Sequence, residues 1–469
     1  METQNLLEFQ SNMETQNILM AQKDQKIIIN KIHDILQILD KLNKLLDLDI
    51  KNKEICNVKL KFIDLFAGIG GFHQALTNLG YECVLSSEIN EECRNTYNIN
   101  YKLMPMGDIK SIVIKDIPNF DILCAGFPCQ PFSKAGTQKG FNDCRGNLFF
   151  NICNIAKHHK PKYMILENVK NLASHDKGNT WNQIKKNIKE LGYYTYDIPL
   201  VLNTLYFNIP QSRDRVVILC KRMDLGKLND LQICPKNTKN TNLRSIMEIN
   251  PNPKYKISDK LKQTETVWNN FIKISHDNNI LIPKFPIWTD WWDSDGNNTT
   301  VTKKDNKKTD TDNITDIIKK QKDFYIKYKD WIDKNRNFYN TNYKLLNPWL
   351  INSRNNYNLW KGAVRKLEWQ AGDKKINMNE VLWSPRGSGV RVKNLDYAPT
   401  LVAMASMIPV YGPESRHLTP RECARLQSFP ENFIINTDDN ESYKQFGNAV
   451  NVKMIQKCAN FLINDDPLF

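Results

Sequence analysis

FIDLFAGIGGF, Phe62 to Phe72, joins a short apolar run to a helical pattern through Gly68, Gly70 and Gly71. Glycines at such a junction let the chain turn tightly and let a ligand approach the backbone with no β-carbon in the way. Glu88 closes the next apolar run, CVLSSE from Cys83, at a spacing that suits a carboxylate binding ribose hydroxyls. The match to a dinucleotide fingerprint is imperfect, and Asp64 is badly placed to face a pyrophosphate. A cationic nucleoside without phosphates suits these residues better.

Working outward, further apolar runs follow: KFIDLF from Lys61, DILCAG from Asp121, YMILE from Tyr163 and RVVILC from Arg215. Between them lie helical patterns at Gly71 to Leu79, Glu91 to Asn98, Asn147 to His159 and Trp181 to Leu191. Strand and helix in alternation predict an α/β fold, a mostly parallel, doubly wound sheet covered on both faces. Such sheets bind ligands at the carboxyl ends of their strands.

At one of those ends stands GFPCQPFS, Gly126 to Ser133. A cysteine between two prolines fits neither a regular helix nor a central strand, so Cys129 is expected on a rigid turn. Its thiol becomes a good nucleophile only where surroundings favour the thiolate. One strand later, Glu167 in LENV ends an apolar run, where burial should raise its pKa and let it donate a proton. Capping the next helix is its alternative role. Gln211-Ser212-Arg213-Asp214-Arg215 then brings fixed cations to the same edge.

The remaining chain differs in texture. Residues 1–59 carry a stripe of Ile28, Ile32, Ile35, Leu39, Leu42 and Leu46 at alternating four- and three-residue spacings. That spacing serves a coiled coil, and hence self-association, as well as it serves a helix packed on the main body. The formal charge is +14, and residues 221–380 hold 30 Lys and Arg against 19 Asp and Glu, most of that excess. Eight of the ten tryptophans, from Trp268 to Trp369, lie there too. Cations with flat rings suit a nucleic-acid surface, although tryptophans serve cores more often than platforms. None of the eleven cysteines forms a CxxC pair, which argues against structural zinc and leads us to expect no metal. Lacking a signal peptide or a bilayer-length apolar run, the chain is expected to work inside the cell, in cytoplasm, nucleoid or nucleus, with no membrane partner.

Taken in order, DLFAGIGGF from Asp64, Glu88, Asp108-Ile109, GFPCQPFS, ENV from Glu167, QSRDRVVIL from Gln211, RECARLQSFP from Arg421 and GNAV from Gly447 closely resemble the cytosine-5 DNA methyltransferase family. The resemblance implies a Rossmann-like S-adenosylmethionine-dependent methyltransferase fold with an inserted target-recognition domain and an N-terminal helical extension. On this reading 1–59 is the extension, 60–222 and 416–469 are two parts of one catalytic domain, and 223–415 is the target-recognition domain. It implies methyl transfer from S-adenosyl-L-methionine to carbon 5 of cytosine in double-stranded DNA, in a specific sequence context.

By the same resemblance Cys129 adds to carbon 6 of the base, and Glu167 engages ring nitrogen 3 and the amino group. Arg215 contacts the ring carbonyl and Glu167, while Arg213 supports the site or the phosphates. The cofactor would rest on Phe66, Gly68, Ile69, Gly70, Glu88, Asp108, Ile109, Pro128, Leu148, Asn448 and Val450. A stacked cytosine cannot present carbon 6 to a thiol, so it must be flipped out, and SKAGTQKGFNDCR from Ser133 has the composition of a closing loop. The family setting is also compatible with a separate restriction endonuclease. Two rivals stand beside this reading: an RNA cytosine-5 methyltransferase, and a silent nucleic-acid-binding regulator. The segment after Glu167 and the basic insertion favour DNA, and intact Cys129, Glu167 and glycines favour catalysis.

Overall fold

The computed structural model describes residues 37, 59–128, 148–231, 241–292, 312–356 and 362–469. The heptad stripe of residues 28–46, Cys129 and the segment from Ser133 to Arg145 lie outside the described residues. Leu60–Phe469 forms one compact unit.

Its first sheet is built from β1 (Lys61–Leu65), β2 (Glu82–Ser87), β3 (Ile122–Gly126), β4 (Tyr163–Val169), β5 (Tyr193–Tyr194), β6 (Leu200–Asn203) and β8 (Asp214–Arg222). A short strand β7 (Gln211–Ser212) precedes β8. The order is β2-β1-β3-β4-β8, with β5 and β6 both paired to β8. β1 to β4 run parallel, but β8 runs antiparallel to β4, Tyr163 facing Lys221 and Val169 facing Arg215. The alternating pattern did not foretell that reversal. It arises because β6 turns back through a single helical turn and β7 directly into β8, with no helix long enough for a crossover.

Four helices interleave with these strands: α1 (Gly71–Thr77), α2 (Glu91–Tyr101), α3 (Leu148–His159) and α4 (Asn179–Glu190). The strands read as continuous apolar runs because both faces are buried, and alternate residues enter different cores. Phe62, Ile122, Cys124, Ile165, Val217 and Leu219 pack with α1 and the chain's C-terminal helices. Ile63, Leu65, Leu123, Ala125, Leu166 and Ile218 pack with α3 and α4. Chain direction across the sheet switches between β1 and β3, which opens a crevice at their carboxyl ends.

The basic middle region contributes α5 (Asp259–Asp277), β9 (Ile287–Trp288), α6 (Asp312–Thr341), α7 (Tyr343–Asn356), β10 (Lys366–Gln370), β11 (Leu382–Arg386) and β12 (Gly389–Lys393). After β13 (Ala398–Pro399), the strands β14 (Val410–Tyr411) and β15 (Arg416–His417) complete a second sheet ordered β15-β14-β11-β12-β10-β9. One face of that sheet closes on Trp268, Trp292, Trp349, Trp369 and Trp383, all buried with Phe271 and Tyr339. These rings form a core of their own. Of the two uses open to them, they serve packing, and the region's charge is left for the surface.

α8 (Pro420–Leu426), α9 (Asp439–Asn448) and α10 (Val452–Asn464) return to the first sheet, their Leu426, Phe446, Ile455 and Phe461 joining the core that holds Phe62 and Phe72. Where the two sheets meet, the buried Arg416 guanidinium grips Glu422 through both terminal nitrogens, at 2.9 and 2.7 Å, and Glu414 through Nε at 2.6 Å. Glu422 also closes a capping box with Thr419 at the start of α8. Replacing Glu422 by Ala strands a charge with too few acceptors, so we expect a loss of about 3–5 kcal/mol. Urea unfolding measures it, and a loss under 1 kcal/mol would contradict the role given to this pair.

Candidate active site

After β1 the backbone enters three left-handed conformations within five residues, at Phe66 (φ 56°), Gly68 (φ 55°) and Gly70 (φ 88°). For Phe66 that conformation costs about 1–2 kcal/mol, and a set of hydrogen bonds holds it. Ala67 N–H donates to Ser87 O at 2.9 Å, and Gly70 N–H to Ala67 O at 2.8 Å. Both oxygens of the Glu88 carboxylate accept backbone amides at 2.8 Å, one from Gly68 and one from Asn90. A carboxylate has about four lone-pair sites, so capacity for two hydroxyls remains. Above the loop there is room: a β-carbon on Gly68 would meet nothing within 4 Å.

Underneath, the fit is tight. A β-carbon on Gly70 would lie 2.2 Å from the Tyr101 ring, whose hydroxyl donates to Gly70 O at 3.0 Å. A β-carbon on Gly71 would lie 2.5 Å from the carbonyl oxygen of Val450. Those two positions admit only glycine, and they dock the chain's C-terminal segment on the start of α1. Ile69 is buried in the core beside Phe72. Asp108 caps a helical turn by accepting from Lys110 N–H at 3.0 Å, and Ile109 enters the apolar cluster on which Phe66 and Leu148 pack. Pro128 and Asn448 are exposed and Val450 is half-buried.

Asp64 lies fully buried below the loop. One carboxyl oxygen accepts from His73 N–H at 3.3 Å, and the other has no partner among the described residues. Burial pushes its pKa well above the usual carboxylate range, against the His73 hydrogen bond and with help from the nearby Glu88 charge.

At the neighbouring edge, Gly126 pairs with Glu167 across β3 and β4. Asn168 donates its side-chain amide to Phe127 O at 2.8 Å, tying down the chain as it leaves β3. Glu167 and Arg215 sit diagonally on one face of the β4–β8 ladder. Arg215 Nε meets Glu167 Oε1 at 2.9 Å, with both side chains nearly closed off from solvent. Burial raises the Glu167 pKa, and the Arg215 and Arg213 charges oppose that rise.

Arg213 does something different. Only 1% exposed, it donates to the carbonyls of Leu401 at 3.4 Å, Gly447 at 3.2 Å and Ala449 at 2.8 Å. Burial, then the Arg215 charge, lowers its pKa to about 9. It holds the Gly447–Val450 segment in place through its two terminal nitrogens, both on protein carbonyls, while its Nε has no partner among the described residues. β13 adds to this frame by pairing with β7, and Thr400 donates to Ser212 O at 2.7 Å. Sequence reasoning missed the tethering roles of Asn168 and Tyr101. Asn168 was visible as the middle of ENV, but Tyr101 follows Asp64 by 37 residues and carries no local signal.

Val450 joins the two halves, since its side chain also lies 3.3 Å from where a Gly126 β-carbon would be. A glycine loop with a ribose-type carboxylate thus abuts a buried carboxyl–guanidinium pair at the switch point of an α/β sheet, which defines a nucleoside-dependent group-transfer enzyme. The profile described as C-5 cytosine-specific DNA methylase matches residues 60–464, and the chain belongs to that family.

Type II methyltransferase M.BanI of Aneurinibacillus aneurinilyticus is 34% identical over 87% of this chain and 97% of its own length. Type II methyltransferase M.HhaI of Haemophilus parahaemolyticus is 32% identical over 88% and 96%. Among solved structures, the S. pombe Dnmt2 methyltransferase aligns with 87% of this chain and 99% of its own at a TM-score of 0.48 and 16% identity, too loosely to bear on the site. The protein is a cytosine-5 DNA methyltransferase, and S-adenosyl-L-methionine is its methyl donor. The open space over Gly68 and the spare acceptors of Glu88 fit a nucleoside there.

Because burial raises the Glu167 pKa above 4.5 in the folded state, its proton stabilises the fold below the unfolded value and that contribution is lost as pH rises. The stability of the wild type relative to Glu167→Gln should therefore fall between pH 4 and pH 7. Urea titrations across that range test it, and a pH-independent difference would refute the buried-acid reading.

Proposed function

We propose that Cys129 is the nucleophile, that Glu167 is the acid facing the base, and that Arg215 orients Glu167. The observation that carries this is the pairing of Gly126 with Glu167, backed by the Asn168–Phe127 tether. Chain reach alone keeps Cys129 within about 11 Å of Gly126. The thiolate bonds to carbon 6, and the electron pair of the 5,6 double bond moves into the ring. Glu167 supplies a proton or hydrogen bond at nitrogen 3, which its raised pKa favours. Carbon 5 thereby becomes nucleophilic, and bound S-adenosyl-L-methionine supplies the methyl group. Loss of the carbon-5 proton to a base then restores the ring and releases the Cys129 thiolate.

In this reading Phe66, Gly68, Ile69, Gly70, Glu88, Asp108, Ile109, Pro128, Leu148, Asn448 and Val450 hold the donor. Arg213 is a positioning residue, since it reaches the chemistry only through the segment it clamps. The target cytosine is flipped out of duplex DNA, at a few kcal/mol. Residues 223–415, bearing the charge excess, recognise the surrounding sequence, with 60–222 and 416–469 forming the catalytic part. We place the enzyme inside the cell, in the company of a restriction endonuclease, as the type II designation of its relatives suggests. No helix among the described residues is long and apolar enough to cross a membrane. The heptad stripe of residues 1–59 offers a self-association surface, which sedimentation of the full chain against residues 59–469 would reveal.

Cys129→Ala should abolish methyl incorporation and the covalent adduct with duplexes containing 5-fluorocytosine, while donor affinity stays within about threefold. Turnover retained by the variant would remove Cys129 from the mechanism. DNA affinity should fall steeply with salt, each neutralised phosphate contributing about −0.9 to the log–log slope. Fluorescence anisotropy from 50 to 300 mM salt measures it, and a flat response would exclude the basic region as the DNA surface.

A further inference from the structure

The second sheet has two unlike faces. Leu367, Trp369, Trp383, Val390 and Val392 point into the tryptophan core. By strand alternation the opposite face carries Lys366, Glu368 and Gln370 of β10, Ser384 and Arg386 of β11, and Arg391 and Lys393 of β12, while Leu382 at the start of β11 turns into the core that holds Phe62. Register sets these side chains in rows: Ser384–Arg391–Glu368 across three strands, and Arg386 opposite Gly389. A β-carbon on Gly389 would lie 2.7 Å from the Lys366 β-carbon. Arg386 and Lys366 therefore flank a strip of bare glycine backbone about 10 Å wide.

Four cations share this face with one carboxylate, and that carboxylate is engaged: Glu368 binds Arg391 Nε at 2.7 Å. Arg386 has no ion-pair partner among the described residues, and its Nε is secluded from solvent without an acceptor. Burial followed by the Arg391 charge lowers the pKa of both Arg386 and Lys393. Mutually repelling, half-buried cations short of acceptors are stabilised by an incoming anion or a pair of acceptors.

The face also has a physical link to the chemistry. Five residues after Lys393, Ala398 pairs with Gln211 in β7, two residues before Arg213. Fully extended, that connection spans at most about 18 Å, less than one turn of a DNA duplex.

We infer that the polar face of β10–β12 binds the DNA substrate, and that Arg386 is a reading residue that donates to a pair of acceptors, either a guanine edge or a phosphate. This rests on the DNA-methylation reading above. Both ligands present two acceptors matched to a guanidinium fork.

The test uses the full chain and a 30-base-pair duplex carrying the site that bisulfite sequencing assigns to the wild type, with single-pair variants of it. Wild-type methyl incorporation into that duplex checks the enzymatic reading separately. Arg386→Gln should weaken binding about tenfold, with an unchanged unfolding midpoint because no ion pair is lost. Weakening confined to the cognate duplex, with one G·C pair now replaceable and no rescue by Arg386→Lys, identifies a guanine edge. Uniform weakening across duplexes, with the salt slope smaller by about 1 and rescue by Arg386→Lys, identifies a phosphate. Lys393→Gln should lower affinity about threefold as a second probe of the face. Wild-type affinity and discrimination in both Gln variants would overturn the inference.

Discussion

A guanidinium shut away from water must find acceptors or destabilise the fold by several kcal/mol. Arg213 finds them in the carbonyls of Leu401, Gly447 and Ala449, the last 236 residues further along the chain. The stretch next to the antiparallel strand of the first sheet is thereby fastened to the returning C-terminal segment. Val450, one residue past the clamp, is then held against both Gly71 and Gly126. The glycine loop and the end of β3 are held in register because one cation fixes the piece of backbone between them.

The same cation adds, behind Arg215, to the charge that faces Glu167. Glu167 is buried enough to hold a proton more tightly than an ordinary carboxyl, yet Arg215 and Arg213 temper that tendency. A carboxyl poised in this way can offer its proton to a base that is gaining electron density, without being locked in the neutral form. Asp64, with no cation to oppose its burial, is driven further. Its place beneath the glycine loop follows from its position inside β1.

Much of the first sheet was legible because burial on both faces leaves continuous apolar runs, and because glycine is compulsory where Tyr101 and Val450 crowd the backbone. Glu167 stands near the carboxyl end of β4 and Arg215 at the amino end of β8, so the strand pattern alone would have separated them, and only the resemblance in motif order put them at one site. The antiparallel course of β8 was not legible: its apolar run reads alike in either direction, and only the short return through β6 and β7 decides it. For Arg213 the sequence left support of the site and contact with phosphates both open, because main-chain carbonyl partners leave no pattern of residue types. In the basic region tryptophans suited core more readily than a flat surface, and Trp268, Trp292, Trp349 and Trp369 do pack into a core with Phe271 and Tyr339. α9 escaped notice because its buried residues, Ser442, Tyr443, Gln445, Phe446 and Gly447, include only two large apolar side chains.

The carbonyl of Val450 stands where a side chain of residue 71 would otherwise be. Two stretches nearly 380 positions apart are thus neighbours at the donor pocket. A ribosome delivers the early stretch long before the late one, so the nascent protein carries an uncovered helix start for most of its synthesis. The start of that helix is covered only once residue 450 has been made and has docked on it.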